Sequence, residues 1–246
     1  MKRIISFLSV LIVGISMTAC GSGEAASAPS ISENDRSLVE QKLGKNDSKT
    51  DSKSDSENDG RSDEESDSEG SENGSKILVA YFSRADENYS VGNIDKGNTQ
   101  IIAEYIAKEL QADSFHIETV TPYPAGYDDC CDVAKQEQAD NARPEISGKV
   151  DNMEQYDIVF LGYPIWWGDL PMAVYTFMES YDFSDKVIIP FNTHEGSGDA
   201  GTYSNIAKAL PSAQVTDGMS IQGKTAQEFN SDTEQSVHDW LDGLGF

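Results

Sequence analysis

KILVAYF, at residues 76–82, is an almost continuous apolar run that predicts a buried β-strand. Similar apolar runs occupy 156–162 and 186–191. Each is followed by a segment whose apolar residues have the spacing of a helix, at 171–179 and at 203–210. Strands that are apolar on both sides are typical of parallel sheets covered by helices on both faces. The alternation of strands and helices therefore predicts an α/β fold with a doubly wound parallel sheet.

The rest of residues 76–246 extends this alternation of strands and helices. Apolar residues recur at helical spacing over 99–110 and 231–241. Residues 113–119 alternate between apolar and polar, a pattern typical of a half-buried strand. Trp240 is expected to anchor the terminal helix to the sheet, and His116 and His238 to be satisfied structural histidines.

The first twenty residues have the features of an export signal. Met1-Lys2-Arg3 precedes an apolar run over 4–16, whose helix of about 20 Å is shorter than the ~30 Å hydrocarbon core. Residues 1–20 are therefore predicted to be a signal peptide, and a transmembrane span is the weaker alternative. Met17-Thr18-Ala19-Cys20-Gly21 resembles the cleavage box of bacterial lipoproteins. The resemblance implies lipidation at Cys20 and anchoring to the outer face of the cytoplasmic membrane; a free cysteine is the alternative.

Residues 21–74 differ in composition from residues 75–246. They hold thirteen serines, fifteen acidic and six basic residues and no aromatic residue. Such a segment cannot bury enough apolar surface to offset its chain entropy, so we predict a disordered acidic tether, with a short helix around 37–43 as an unsupported alternative. It would serve as a spacer or be inert filler, and residues 75–246 would form the folded domain.

The net charge excludes one class of partner. The chain has a formal charge of −25 and a pI near 4.2. The domain contains 28 acidic residues and only 10 basic ones. A nucleic-acid partner is excluded because phosphates need a basic surface. Three cysteines and three scattered histidines predict neither a disulfide framework nor a metal site. A redox role for Cys130-Cys131 is a minor alternative.

Ligands of doubly wound sheets bind beyond the carboxyl ends of the strands, so the loops there carry the functional prediction. The first loop offers a phosphate site, where hydroxyl, amide and backbone N–H groups surround a helix N-terminus: Ser83, Arg84, Asn98 and Thr99. Ordinary helix capping is the alternative. The loop has neither a Walker sequence nor a GxGxxG fingerprint.

The other two loops differ in chemistry. The second contains two adjacent tryptophans, of which we expect at least one to cover a flat ligand, although one ring could pack beneath the next helix. Its candidate residues are Pro164, Ile165, Trp166, Trp167 and Gly168. The third is glycine-rich, so its backbone can approach a ligand closely; its candidates are Thr193, His194, Glu195, Gly196, Ser197 and Gly198.

Together these motifs resemble the flavodoxins. Tyr81-Phe82-Ser83-Arg84, Gly97-Asn98-Thr99, the Pro164–Gly168 loop and Thr193–Gly198 stand in family order, each at a strand end. The resemblance implies a five-stranded sheet of order 2-1-3-4-5 and non-covalent FMN, with the phosphate at the first loop. It also implies Ile165 and Trp166 against the isoalloxazine, with Trp166 the main stacking residue and Trp167 more structural, and the Glu195–Gly198 backbone at the pyrimidine edge.

The chain departs from the family at 85–96, an insertion after Arg84. We predict that this insertion loops outward while Gly97-Asn98-Thr99 returns to the site.

The resemblance leaves three functions open. The favoured one is electron transfer with a redox partner protein or a small redox substrate, in which no side chain acts as a catalyst. The alternatives are an FMN-dependent NAD(P)H or quinone oxidoreductase, and a non-catalytic lipoprotein that has lost its flavin. The acidic surface favours the first of these functions, an electron carrier that acts on a partner protein.

Overall fold

The computed structural model describes residues 28–44 and 76–246. The predictions for the signal peptide, for Cys20 and for the tether at 21–27 and 45–74 lie outside these residues. The helices are α1 Glu33–Lys42, α2 Asn98–Glu109, α3 Tyr127–Ala139, α4 Met172–Glu179, α5 Thr202–Ala209, α6 Gly223–Gln227 and α7 Ser231–Leu244. The strands are β1 Lys76–Tyr81, β2 Asp86–Asn88, β3 Gly92–Ile94, β4 Asp113–His116, β5 Tyr156–Pro164, β6 Val187–His194, β7 Gln214–Val215 and β8 Met219–Gln222.

A parallel sheet forms the centre of the molecule. Its strands are arranged in the order β4-β1-β5-β6-β7, and β8 also pairs with β6. The predicted fold class is confirmed, and this order agrees broadly with the expected 2-1-3-4-5. The predicted number of strands is wrong, because two short strands, β7 and β8, pair with successive parts of β6 where one strand was expected.

Both faces of the sheet are buried, as the continuous apolar runs predicted. Along β5, Val159 and Leu161 point into a core shared with α4 and α5, whereas Ile158 and Phe160 point into a core shared with α2 and α7. This alternation results from the two-residue period of a strand. Trp240 is fully buried and its ring meets that of Phe160 edge-on at 5.8 Å, so the prediction that it anchors α7 is confirmed.

The prediction of a disordered tether is wrong for part of its length. Residues 33–42 form α1, which begins at Ser32, whose hydroxyl oxygen accepts a hydrogen bond from the backbone N–H of Asp35 at 3.1 Å. Val39 of this helix is fully buried in the core beneath α7. The prediction relied on the composition of more than fifty residues, in which one short amphipathic stretch has little weight. Tertiary contacts stabilise this stretch as a helix.

The insertion at 85–96 forms a small antiparallel hairpin of β2 and β3. Among the described residues, no helix combines the length and apolar character needed to cross a membrane.

Candidate functional site

The first loop places a helix N-terminus beside the end of β1. Ser83 accepts a hydrogen bond from the backbone N–H of Gln100 at 3.0 Å, so its hydroxyl caps α2 and can still donate its own proton. A Cβ at Gly97 would lie 2.2 Å from Ser83 Oγ and 2.5 Å from the carbonyl oxygen of Arg84, so only glycine allows this close approach. The N–H groups of Asn98 and Thr99 begin the helix and have no carbonyl partner within it. Such groups are suited to an anion.

Arg84 lines the cavity that the three loops surround and also holds the inserted hairpin in place, while its contact with a phosphate stays a prediction. Its terminal guanidinium nitrogens donate to three backbone carbonyls, those of Glu87, Pro124 and Ala125, at 2.6–2.7 Å. These bonds hold the inserted hairpin against the segment that precedes α3. Its Nε is buried and has no partner among the described residues. Arg84 therefore positions the hairpin, and its Nε is still able to donate to a ligand.

The hairpin brings further aromatic surface to the site. Glu87 accepts a hydrogen bond from the backbone N–H of Tyr127 at 3.0 Å and so caps α3, whose own cap residue is glycine. The rings of Tyr89 and Tyr127 lie 5.8 Å apart, and Tyr89 is 60% exposed. The insertion thus forms one wall of the site rather than looping away from it.

The tryptophan pair lies in a tight turn. Trp166 and Asp169 exchange two backbone hydrogen bonds at 2.9 and 3.0 Å, with Trp167 and Gly168 between them at φ 51° and 76°. Two central residues with positive φ are typical of a type I′ turn. This conformation costs little for Gly168 but is uncommon for a bulky residue such as Trp167.

The two rings differ in their surroundings. The ring of Trp166 meets the rings of Phe82 and Tyr123 edge-on at 5.2 and 5.1 Å, and so packs against the core. Trp167 is 52% exposed, and the ammonium of Lys135 lies 5.1 Å from its ring centre. The prediction that Trp167 is the more structural of the two is therefore wrong; that Trp166 stacks on a flavin stays a prediction.

Asp169 holds this turn in place. Its Oδ1 accepts hydrogen bonds from the backbone N–H of Leu170 at 2.8 Å, from the hydroxyl of Tyr175 at 3.0 Å and from the amide of Asn205 at 3.0 Å. Three donors on one oxygen fix the turn to α4 and α5.

The third loop connects the other two. The hydroxyls of Thr193 and Thr99 are 2.8 Å apart, and the backbone N–H of Ile165 donates to the carbonyl of Thr193 at 2.9 Å. His194 Nδ1 accepts the backbone N–H of Gly196 at 2.9 Å, and burial lowers the pKa of His194 below its usual range. The ring is therefore neutral, with its proton on Nε2, where it can be donated.

Glu195 is the acidic member of this loop. Burial raises the pKa of its carboxyl above the usual range, although hydrogen bonds with Gln222 and Ser90 act in the opposite direction. Its Oε1 is buried without a partner among the described residues. A Cβ at Gly223 would lie 2.2 Å from this oxygen and 2.3 Å from Asn98 Nδ2, so the carboxyl packs tightly between the third loop and α2.

These loops surround a cavity of about 640 Å³, a volume typical of small-molecule sites. The predicted residues that line it are Arg84, Asn98, Pro164, Ile165, Trp166, Trp167, Thr193, His194 and Glu195. Ser83 and Thr99 are buried beside this lining and are not part of it. Gly168, Gly196, Ser197 and Gly198 are not among its lining residues in the described part of the chain.

Sequence reasoning missed one wall. Tyr127, Cys130, Cys131 and Ala134 also line the cavity, and their spacing of three, four and seven residues is that of one helix face, a signal that would have revealed α3. Asn88, Tyr89, Asp128 and Asp132 complete the lining. Both cysteines are free, and burial raises the pKa of Cys130 to about 11, which keeps it a thiol. Within residues 28–44 and 76–246, no group of histidine, cysteine and carboxylate side chains is placed to hold a metal ion.

The cavity fits FMN. Its lining includes Asn98 at the open N-terminus of α2 and Arg84, whose Nε is unpartnered, and these groups suit a phosphate. Its lining also includes the exposed side chains of Tyr89 and Trp167, which suit a planar ring. The buried Glu195 Oε1 and the proton on His194 Nε2 offer polar partners at the third loop.

Comparison with known proteins gives a consistent result. The sequence profile of the flavodoxin family matches residues 76–243. A protein assigned as a flavoprotein from Bacteroides eggerthii DSM 20697 is 29% identical, with a TM-score of 0.56, over 70% of this chain and 99% of its own. One from Bacteroides uniformis ATCC 8492 is 25% identical, with a TM-score of 0.56, over 69% and 99%.

A flavoprotein from Lactobacillus acidophilus NCFM, solved in complex with FMN, is 19% identical, with a TM-score of 0.49, over 63% and 98%. No curated protein is similar enough to the chain to match it.

Proposed function

Since this chain belongs to the flavodoxin family, we propose that it binds FMN without a covalent bond and transfers electrons to a partner protein at the outer face of the cytoplasmic membrane. The observation that carries the proposal is the cavity at the carboxyl ends of β1, β5 and β6, whose lining combines Arg84 and Asn98, which suit an anion, with the aromatic side chains of Tyr89, Trp166 and Trp167. Bound there, FMN would supply the redox chemistry, since its ring accepts and returns electrons.

The residues of the chain bind and orient the cofactor. The N–H groups of Asn98 and Thr99 and the hydroxyl of Ser83 would hold the phosphate, and Arg84 Nε would add a charged donor. The planar ring would lie against Trp166 or Trp167 on one side and reach Tyr89 at the hairpin. His194 Nε2 would donate its proton to an acceptor on the ligand, because Nδ1 is already occupied.

The acidic surface supports a protein partner of opposite charge. With 28 acidic and 10 basic residues, the domain carries a formal charge of −18, which attracts a basic partner and slows an anionic dinucleotide. Salt should weaken both effects, because the Debye length is about 10 Å at 0.1 M.

Anchoring at the membrane rests on the sequence before the described residues. The apolar run at 4–16 and the Met17–Gly21 box support lipidation of Cys20. Cys20→Ser should abolish acylation and leave the protein unprocessed or released. If this variant is cleaved normally and stays in the membrane, the anchor lies elsewhere.

FMN titration of residues 28–246 tests cofactor binding. The fragment should quench flavin fluorescence with a Kd below ~10 μM, about 7 kcal/mol of binding free energy. Gly97→Ala should abolish quenching, because its Cβ would lie 2.2 Å from Ser83 Oγ. Gly126→Ala is the matched control: both glycines have φ near −70°, but a Cβ at Gly126 meets its nearest atom at 3.8 Å.

Kinetic measurements distinguish an electron carrier from an FMN-dependent oxidoreductase. The flavin-loaded protein should reduce cytochrome c, a basic one-electron acceptor, faster at low salt than at high salt. Rapid NAD(P)H oxidation coupled to quinone reduction would instead establish the oxidoreductase. Failure to bind any flavin would establish the non-catalytic alternative.

A further inference from the structure

Helix α1 is packed onto the domain although thirty-one residues, 45–75, separate the described segments. Val39 is fully buried, and Ile31, Leu38 and Leu43 pack against the core that also contains Trp240. The apolar contacts therefore extend over the whole length of the helix.

Close packing at α7 makes this docking specific. A Cβ at Gly243 would lie 2.9 Å from Ile31 Cγ1, and a Cβ at Gly245 would lie 3.0 Å from Glu40 Cγ. These two glycines leave the room that α1 occupies. Asp35, which is buried, also accepts the backbone N–H of Asp217 at 3.4 Å.

The direction of α1 defines where the chain enters the domain. Its carboxyl end lies near Lys186, where β6 begins, because the charge of Lys42 acts on the pKa of Lys186. Its amino end lies beside Gly243 and Asp217, at the edge of the sheet formed by β7 and β8. The preceding chain therefore leaves from that edge, not from the start of β1.

We infer that α1 clamps the anchor side of the chain to the domain, so that residues 21–27 alone set how far the domain can stand from the membrane, since Ala28 already packs against the same core. This inference rests on the proposed lipid anchor at Cys20. The acidic residues 45–75 then lie between two segments that are both fixed to the domain, α1 and β1, and add nothing to the reach of the domain.

The two arrangements differ greatly in reach. Eight residues lead from Cys20 to Ala28, where the packed segment begins, and at most about 3.6 Å per residue this gives about 29 Å. If α1 were free, the fifty-six residues from Cys20 to Lys76 would give about 200 Å. A reach of about 29 Å is less than the diameter of a domain of this size, which is about 40 Å.

Covalent linkage favours the docked state. The connection through 45–75 makes docking an intramolecular event, for which effective concentrations are on the order of millimolar. Even a modest intrinsic affinity between α1 and the domain therefore keeps α1 docked.

The clamp narrows the class of redox partner. A domain held within about its own diameter of the membrane can reach a partner carried on the same membrane surface. A partner fixed farther out would require the longer reach of an undocked chain.

A disulfide tests the docking without depending on the anchor. An ideal Cβ at Gly243 lies 3.7 Å from Ile31 Cβ, close to the ~3.8 Å typical of disulfides. The mature chain carrying Ile31→Cys, Gly243→Cys and a protease site within 45–75 should form the bond under mild oxidation. The cut fragments should then stay joined until reduction. Either cysteine alone is the control, and fragments that separate without reduction would overturn the docking.

Energy transfer from a dye on the domain to acceptor lipids in vesicles tests the reach. A twenty-residue Gly/Ser insert within 45–75 should leave the transfer unchanged, whereas the same insert within 21–27 should lower it. Val39→Asp should make the first insert lower the transfer too. An equal fall from both inserts in the otherwise unchanged chain would overturn the inference. Failure to associate with vesicles, with the disulfide intact, would refute the anchor and leave the docking established.

Discussion

The indole nitrogen of Trp167 donates a hydrogen bond to the carbonyl oxygen of Cys131 at 3.0 Å and so joins the turn after β5 to α3. Trp167 has φ 51° and is 52% exposed, so a bulky residue is held in an uncommon conformation with its ring uncovered. Backbone strain that is maintained at the wall of a cavity is typical of binding sites. The bond therefore holds an aromatic surface ready for a ligand.

Replacing the two tryptophans singly should separate packing from binding. Trp166→Ala should lower the free energy of unfolding by about 2–4 kcal/mol, because its ring packs against Phe82 and Tyr123. Trp167→Ala should lower it by only about 0.5–1.5 kcal/mol, because it removes one hydrogen bond to Cys131, and should weaken FMN by about 0.5–1.5 kcal/mol. Denaturant unfolding and fluorescence titration measure the two effects, and unchanged FMN affinity in Trp167→Ala would show that its ring does not touch the flavin.

Arg84→Lys should loosen the inserted hairpin while keeping the charge. A lysine cannot reach the three carbonyls of Glu87, Pro124 and Ala125, so we expect a loss of about 1.5–3 kcal/mol in unfolding free energy and weaker FMN binding. Arg36→Lys, at an exposed ion pair on α1, is the control and should change stability by less than about 0.5 kcal/mol. Equal effects in the two variants would refute a positioning role for Arg84.

Asp169 should act on the flavin through the tryptophan turn. Asp169→Ala removes the acceptor of three hydrogen bonds, so FMN affinity and the flavin absorption spectrum should both change. Asp169→Asn keeps an Oδ1 acceptor and should restore most of both. An asparagine variant as impaired as the alanine variant would assign the effect to the charge instead.

Glu195 should make stability depend on pH. Because burial raises its folded-state pKa, the folded protein keeps this proton longer than the unfolded chain does. Its contribution is fully present below the ordinary glutamate pKa and is lost as the pH rises through the raised value. The unfolding free energy of the apoprotein, minus that of Glu195→Gln, should therefore fall with rising pH over this range. The contribution of the half-buried Glu137, whose pKa burial also raises, cancels in that difference. A difference that stays flat would show that Glu195 titrates normally.

Local sequence was enough to predict most elements of the domain. The apolar runs at β1, β5 and β6 and the helices α2, α4, α5 and α7 result from residue periodicity, which is a property of neighbouring residues. The three ligand loops could be named for the same reason, since parallel strands bring their carboxyl ends to one edge. Helix α3 was missed because its polar residues mask the spacing of its cavity face.

Contacts between residues far apart in the chain could be found only in the folded molecule. The carbonyls that occupy Arg84 come from Pro124 and Ala125, and the exposed ring of Trp167 is fixed by Cys131. The docking of α1 requires the space left by Gly243, more than two hundred residues further along the chain. No local pattern encodes such pairs, because each is selected by the packing of a partner surface that exists only after the chain has folded.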